Sequence, residues 1–206
     1  MDISRAGSAL NGGLSALVAA NSAKKNPNEN LRIISDVLNS ASINNINTVS
    51  SAGEARRILL ERDFDIIIID APLPDESGED LARYISSKGL SQVILAVNSE
   101  HFTEVSSICH ADGILTVSKP VDRNIFWSAL SLAKSVNSRL KRMQEENAKL
   151  KQKIDDIKII DRAKCMLISY LSLTEQEAHR FIEKQAMDLR STKRIIAEGI
   201  LKTYAN

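Results

Sequence analysis

An α/β doubly wound parallel sheet, followed by a coiled-coil helix and a small all-α three-helix domain, is the architecture this sequence predicts. Three observations predict it. Residues 14–130 alternate short β-type apolar runs with helical patterns, the arrangement that builds a parallel sheet covered by helices. Residues 131–159 carry a 3-4 apolar spacing without Gly or Pro, the mark of a coiled-coil linker. Residues 160–206 read as three short amphipathic helices. Residues 1–13 are left as an N-terminal extension, and 206 residues give room for one ordinary domain and a smaller one.

Taken in order, residues 14–19 form a first apolar strand, and residues 28–39 place Leu31, Ile34, Val37 and Leu38 at helical spacing. A weak second strand covers 46–49, and a helix with Ile58, Leu59 and Leu60 covers 52–62. Residues 65–70 give the strongest strand signal. Four consecutive isoleucines between Asp65 and Asp70 suit a strand buried on both faces. A helix at 78–87, a strand at 92–97, a helix near 103–110 and a last strand at 113–117 complete the alternation. Functional groups of such a sheet belong at the C-terminal ends of its strands.

With Ala133 at heptad position a, Val136, Leu140, Met143, Asn147, Leu150, Ile154 and Ile157 alternate between d and a. Asn147 falls at a, where a buried amide costs stability but fixes register and favours a parallel pair. Glu146 at g can meet Lys151 at e of a partner helix. The narrow seam favours a helix–helix partner over a broad core, so the chain is expected to dimerise.

The heptad breaks near Asp161, and the apolar face widens through Ala163, Met166, Leu167 and Leu171. Thr174-Glu-Gln-Glu177 is a capping box, with Ala178, Phe181, Ile182, Ala186 and Met187 expected inward. Ser191 or Thr192 can cap the last helix, with Ile195, Ile196, Ile200 and Leu201 inward.

Charge is asymmetric. Residues 1–133 hold 11 Lys/Arg and 16 Asp/Glu, whereas residues 134–206 hold 16 and 10, which suits an output segment that meets a polyanion. Cys109 and Cys165 lack metal-ligand spacing and are expected to be small buried or half-buried side chains of a cytoplasmic protein. No apolar run reaches the roughly 18–20 residues of a membrane span, and residues 1–11 do not read as a signal peptide. No helix pair reads as a DNA-binding helix-turn-helix.

Asp70 closes the isoleucine strand, followed by Pro74 and Gly78, while Lys119-Pro120 follows the last strand. A carboxylate there can attack an acyl phosphate as a nucleophile while a lysine neutralises the oxygens. These residues resemble the site of response-regulator receiver domains, which are flavodoxin-like. The resemblance implies Asp70 as the candidate phosphoacceptor and Lys119 as the phosphoryl-contacting group. The sequence departs from it in two places. The acidic pair expected after the first strand is replaced by Ala20-Asn21-Ser22, followed by Lys24 and Lys25, and Val97 stands where a small hydroxyl residue is expected. Asn21, Ser22 and Val97 therefore mark a degenerate acidic pocket, a poor site for Mg²⁺, and no cofactor is expected. A pseudo-receiver controlled by a sensor kinase or other regulatory protein, or serving as a scaffold, is the expectation; a switch through Asp70 is the alternative.

Ala163-Lys164, Leu173-Thr-Glu-Gln-Glu-Ala178, Ala186-Met187-Asp188 and Ile196-Ala197-Glu198-Gly-Ile-Leu201 together resemble an ANTAR domain. Cys165 is a mild departure. The resemblance implies a transcription antiterminator, not an enzyme, that binds paired hairpins of a nascent leader RNA as a dimer. Lys164, Arg180, Lys184, Arg190, Lys193 and Arg194 are the RNA-binding candidates, with Lys164, Lys193 and Arg194 foremost. Such groups can contact phosphates and loop bases. A protein-interaction regulator, in which the receiver-like domain and coiled coil hold a partner, is the competing reading.

Overall fold

The computed structural model describes residues 13–21, 29–43, 45–89 and 91–204. Ser22, Lys24, Lys25 and nearly all of the N-terminal extension lie outside the described residues. The elements run β1 (Ser15–Ala20), α1 (Glu29–Ser40), β2 (Asn45–Val49), α2 (Ala52–Glu61), β3 (Ile66–Asp70), α3 (Glu79–Lys88), β4 (Gln92–Asn98), α4 (Phe102–Ala111), β5 (Leu115–Lys119), α5 (Arg123–Leu171), α6 (Glu175–Asp188) and α7 (Lys193–Tyr204). The chain divides after Leu140 into two compact units.

The first unit is a parallel sheet in the order β2-β1-β3-β4-β5. β3 is central and its isoleucines divide between the two faces. Ile67 and Ile69 pack with Leu81, Ala82, Val105 and Cys109 of α3 and α4. Ile66 and Ile68 pack with Ile34 and Leu38 of α1 and Phe126 and Leu130 of α5. All four are fully buried, which explains why this strand shows no polar alternation. β5 begins two residues later than the sequence suggests. Gly113, at φ 71°, donates to the His110 carbonyl and Ile114 to that of Cys109, so these residues close α4 before the strand starts. Lys119 is consequently the last residue of β5.

The receiver end of α5 is held by its own core. Phe126, Leu130 and Ala133 are buried against the sheet, so Ala133 serves this core and not the seam. Asn137, only 1% exposed, donates from Nδ2 to the Asp65 carbonyl at 2.9 Å.

In the second unit the first of the three expected short helices is the end of α5 itself, which continues unbroken to Leu171. Its last turns pack Ala163 and Leu167 against Ala178 and Ile182 of α6 and Ala197 and Ile200 of α7. The capping box at Thr174 is complete: the hydroxyl accepts from the Glu177 amide at 3.3 Å, and the Glu177 carboxylate accepts from the Thr174 amide at 2.8 Å. Thr192 caps α7 by accepting from the Ile195 amide. Several assignments of facing are corrected. Phe181, Met187, Ile195 and Leu171 are exposed, and Ala197 is buried. Cys165 is exposed and Cys109 is buried, because Cys165 lies on the far side of α5 from Ala163 and Leu167.

Candidate phosphoacceptor site and nucleic-acid interface

The order of the sheet reverses between β1 and β3, where ligands of doubly wound folds collect. Asp70 ends β3 opposite Ala20 of β1 and Ala96 of β4. Its side chain is 3% exposed, and Lys119 donates from Nζ to Oδ1 at 2.8 Å and also to the Ala71 carbonyl. The two groups joined from sequence reasoning thus meet across the end of β4. Gly78 at the start of α3 is required twice over. Its φ is 91°, and a Cβ would stand 3.1 Å from Ile69 Cγ2 and 3.2 Å from the Ala71 Cβ, tighter than ordinary packing allows.

The divalent cation that receiver folds imply does not fit the groups present. Asn21 follows β1 in place of a carboxylate, and residues 22–28 contain no acid. Asp75 and Glu76, the first acids after Asp70, are both engaged by α2. Asp75 accepts from the Ala52 and Gly53 amides at 2.9 and 2.8 Å, which holds its carboxyl below the usual range. The Glu76 carboxylate accepts from both terminal guanidinium nitrogens of Arg56, and this hydrogen bonding pushes the Arg56 pKa up. These two anchors tie the loop after Asp70 to α2. Sequence reasoning missed them, since their partners lie 20 or more residues away. Among the described residues no group of three His, Cys, Asp or Glu side chains could hold a metal. Val97, 4% exposed, packs with the α3 and α4 core and offers methyls where a hydroxyl would bond a phosphoryl oxygen. It borders a cleft of about 400 Å³ shared with Pro72, Asn98, His101 and Glu104. Cys109 is fully buried in the same core, and this burial pushes its thiol pKa up.

In the second unit the basic candidates fall into two groups. Lys164 donates to Asp161 at 2.8 Å and Glu175 at 2.9 Å; the hydrogen bond to Asp161, then that to Glu175, pushes its pKa up. Lys193 bonds Glu183, which holds that carboxyl down. Arg194 bonds Asp156 at 2.6 Å and Glu198 at 2.8 Å, and the Asp156 carboxyl is held low by Arg194, then by Gln152. Arg180, Lys184 and Arg190 are exposed, and their side chains make no hydrogen bond or ion pair among the described residues. Tyr170 and Tyr204 pack on each other, with ring centroids 5.0 Å apart. Along α5, Met143, Leu150, Ile154 and Ile157 are 49–58% exposed, Asn147 is exposed, and Val136 and Leu140 are half-buried.

Comparison with known proteins agrees with this geometry. Residues 26–131 match the family of response regulator receiver domains, and residues 148–201 match the ANTAR domain. Transcriptional regulatory protein PdtaR of Mycobacterium tuberculosis is 28% identical over 139 residues, covering 68% of each chain. A two-component transcriptional regulator from Clostridium phytofermentans (18% identity, TM-score 0.54) covers 63% of this chain and 98% of its own. A receiver domain from Clostridium thermocellum (23% identity, TM-score 0.51) covers 62% of this chain and 99% of its own. These two structures show the fold. No helix among the described residues is long and apolar enough to cross a membrane. With its receiver matched over half the sequence and an ANTAR domain following, the chain belongs to the response regulators, as a transcriptional regulator of the ANTAR type.

Proposed function

We propose that the protein is a cytoplasmic, non-enzymatic antitermination regulator that acts as a dimer on paired hairpins in nascent leader RNA. The observation that carries this reading is the α5–α6–α7 core, built from the residues of the ANTAR motif and coinciding with the matched segment. ANTAR domains bind RNA, and basic side chains at the surface of this unit supply what phosphates require. The seam supports pairing: Met143, Leu150, Ile154 and Ile157 stand exposed at heptad spacing, and a second copy would cover them with Asn147 setting the register. Two heads on one stalk would let each hairpin raise the local concentration of the other.

The domain limits follow the same reading, with a receiver-like unit at 14–130, a linker at 131–159 and the RNA-binding head at 160–206. Asp70 has its lysine but lacks the acids that hold a cation, so the receiver is regulated without Mg²⁺-dependent phosphorylation. A protein ligand of the receiver is the regulator that fits. The test is binding of the full chain to a synthetic RNA with two hairpins joined by a short linker. Affinity should fall steeply with salt and drop at least tenfold when one hairpin is deleted. Salt-independent binding, or none, contradicts the proposal.

A further inference from the structure

Resting on the RNA-binding reading, we infer that the head reads unpaired bases with the outer face of α6 and its strained end. The residues are Arg180, Lys184, Met187 and Arg190; Lys164, Lys193 and Arg194 act as internal braces.

Three observations lead there. The first is the state of the cations. Lys164, Lys193 and Arg194 each hold carboxylates of their own unit. An RNA phosphate would have to displace those bonds before gaining its own. Arg180 and Lys184 make no hydrogen bond or ion pair among the described residues that an RNA phosphate would have to displace, and their i, i+4 spacing sets them on one face of α6.

The second is the company they keep. Met187 is 72% exposed and Leu189 64% exposed, beside these cations. A duplex backbone offers phosphates but no apolar surface; splayed bases offer flat faces that such side chains and guanidinium planes can cover.

The third is the backbone. α6 ends in a Schellman turn: the Ser191 amide donates to the Ala186 carbonyl at 2.9 Å and the Arg190 amide to that of Met187 at 3.1 Å. The residue in the left-handed position is Arg190, at φ 48°, where glycine is the usual occupant. Its side chain makes no hydrogen bond or ion pair within the described residues, so no polar contact of the fold calls for an arginine there. Strain at a surface residue of this kind points to a task outside the fold.

Arg190→Gly separates the two roles, since it relieves the strain while removing the guanidinium. In the full chain it should raise the melting temperature of the head by roughly 2–5 °C. It should also weaken binding of the two-hairpin RNA about tenfold and lower the salt slope by about 1. Arg180→Ala and Lys184→Ala should weaken binding without altering melting, whereas Lys193→Ala should lower the melting temperature and leave affinity within about twofold. A fully paired RNA of equal length should compete poorly. If the wild-type chain binds the RNA but Arg190→Gly and Arg180→Ala bind equally well, or duplex RNA competes equally, this assignment falls and antitermination stands. If the wild-type chain binds no hairpin RNA, both readings fall together.

Discussion

The two units use charge in opposite ways. In the receiver, Asp70 and Lys119 face each other at 3% and 12% side-chain exposure, inside a sheet whose cores on both faces are extensive. In the head a small core of alanines, leucine and isoleucines is ringed by pairs at the surface, such as the exposed Lys193–Glu183 and the half-buried Arg194–Asp156. A buried pair contributes little net stability while intact but is expensive to break, whereas exposed pairs each contribute little and are screened by salt. The receiver should therefore respond sharply to loss of one charge, and the head to ionic strength.

The largest effect should follow Asp70→Ala. It leaves the Lys119 ammonium without its carboxylate and should cost the receiver about 3–5 kcal/mol in urea unfolding, while Asp70→Asn should cost less. Equal stability of Asp70→Ala and wild type would mean that Lys119 finds water as readily as it finds Asp70, and the contrast between the units would vanish.

Next in size is the seam. Leu150→Glu combined with Ile154→Glu places like charges along the proposed dimer seam, and sedimentation should show a dimer becoming monomer, with dissociation strengthened about 100-fold or more. A wild-type chain that sediments as a monomer at tens of micromolar would remove the pairing.

A milder effect is expected from acid. Asp156, Glu175, Glu177 and Glu183 have carboxyls held below their ordinary values by hydrogen bonds from Arg194, Lys164, Thr174 and Lys193 respectively. A carboxyl depressed in the folded state adds stability above its unfolded pKa and loses it as pH falls through the folded one. The raised pKa values of Lys164 and Arg194 add stability that is complete below their unfolded values, so they impose no loss on the acid side. Melting of the head should hence be flat near neutrality and decline once pH drops below about 4.5. The smallest expected effect is none: acetyl phosphate with Mg²⁺ should leave the mass of the chain unchanged, and an adduct at Asp70 would restore the phosphorylation switch.

Much of the receiver was legible because its signals are local. Ile66 to Ile69 announce a doubly buried strand by themselves, and Asp70 and Lys119 each sit where a strand ends. The head was legible in its caps and motif but not in its facing. Phe181 and Ile182 are neighbours, as are Ala186 and Met187, and apolar residues span so much of α6 that periodicity cannot say which edge is covered. Ala178, Ala186 and Ala197 decide it, because close helix approach selects small side chains. The braces were illegible for another reason. Arg194 and Asp156 stand 38 positions apart, and no local pattern links them.

Asn137 has a consequence for the first unit. Its amide donates to the Asp65 carbonyl, while its Oδ1 has no hydrogen-bond partner among the described residues. Asn137 is thus a latch more than a plug: it fastens its turn of α5 to the residue that precedes β3, where a leucine of similar size would only fill space.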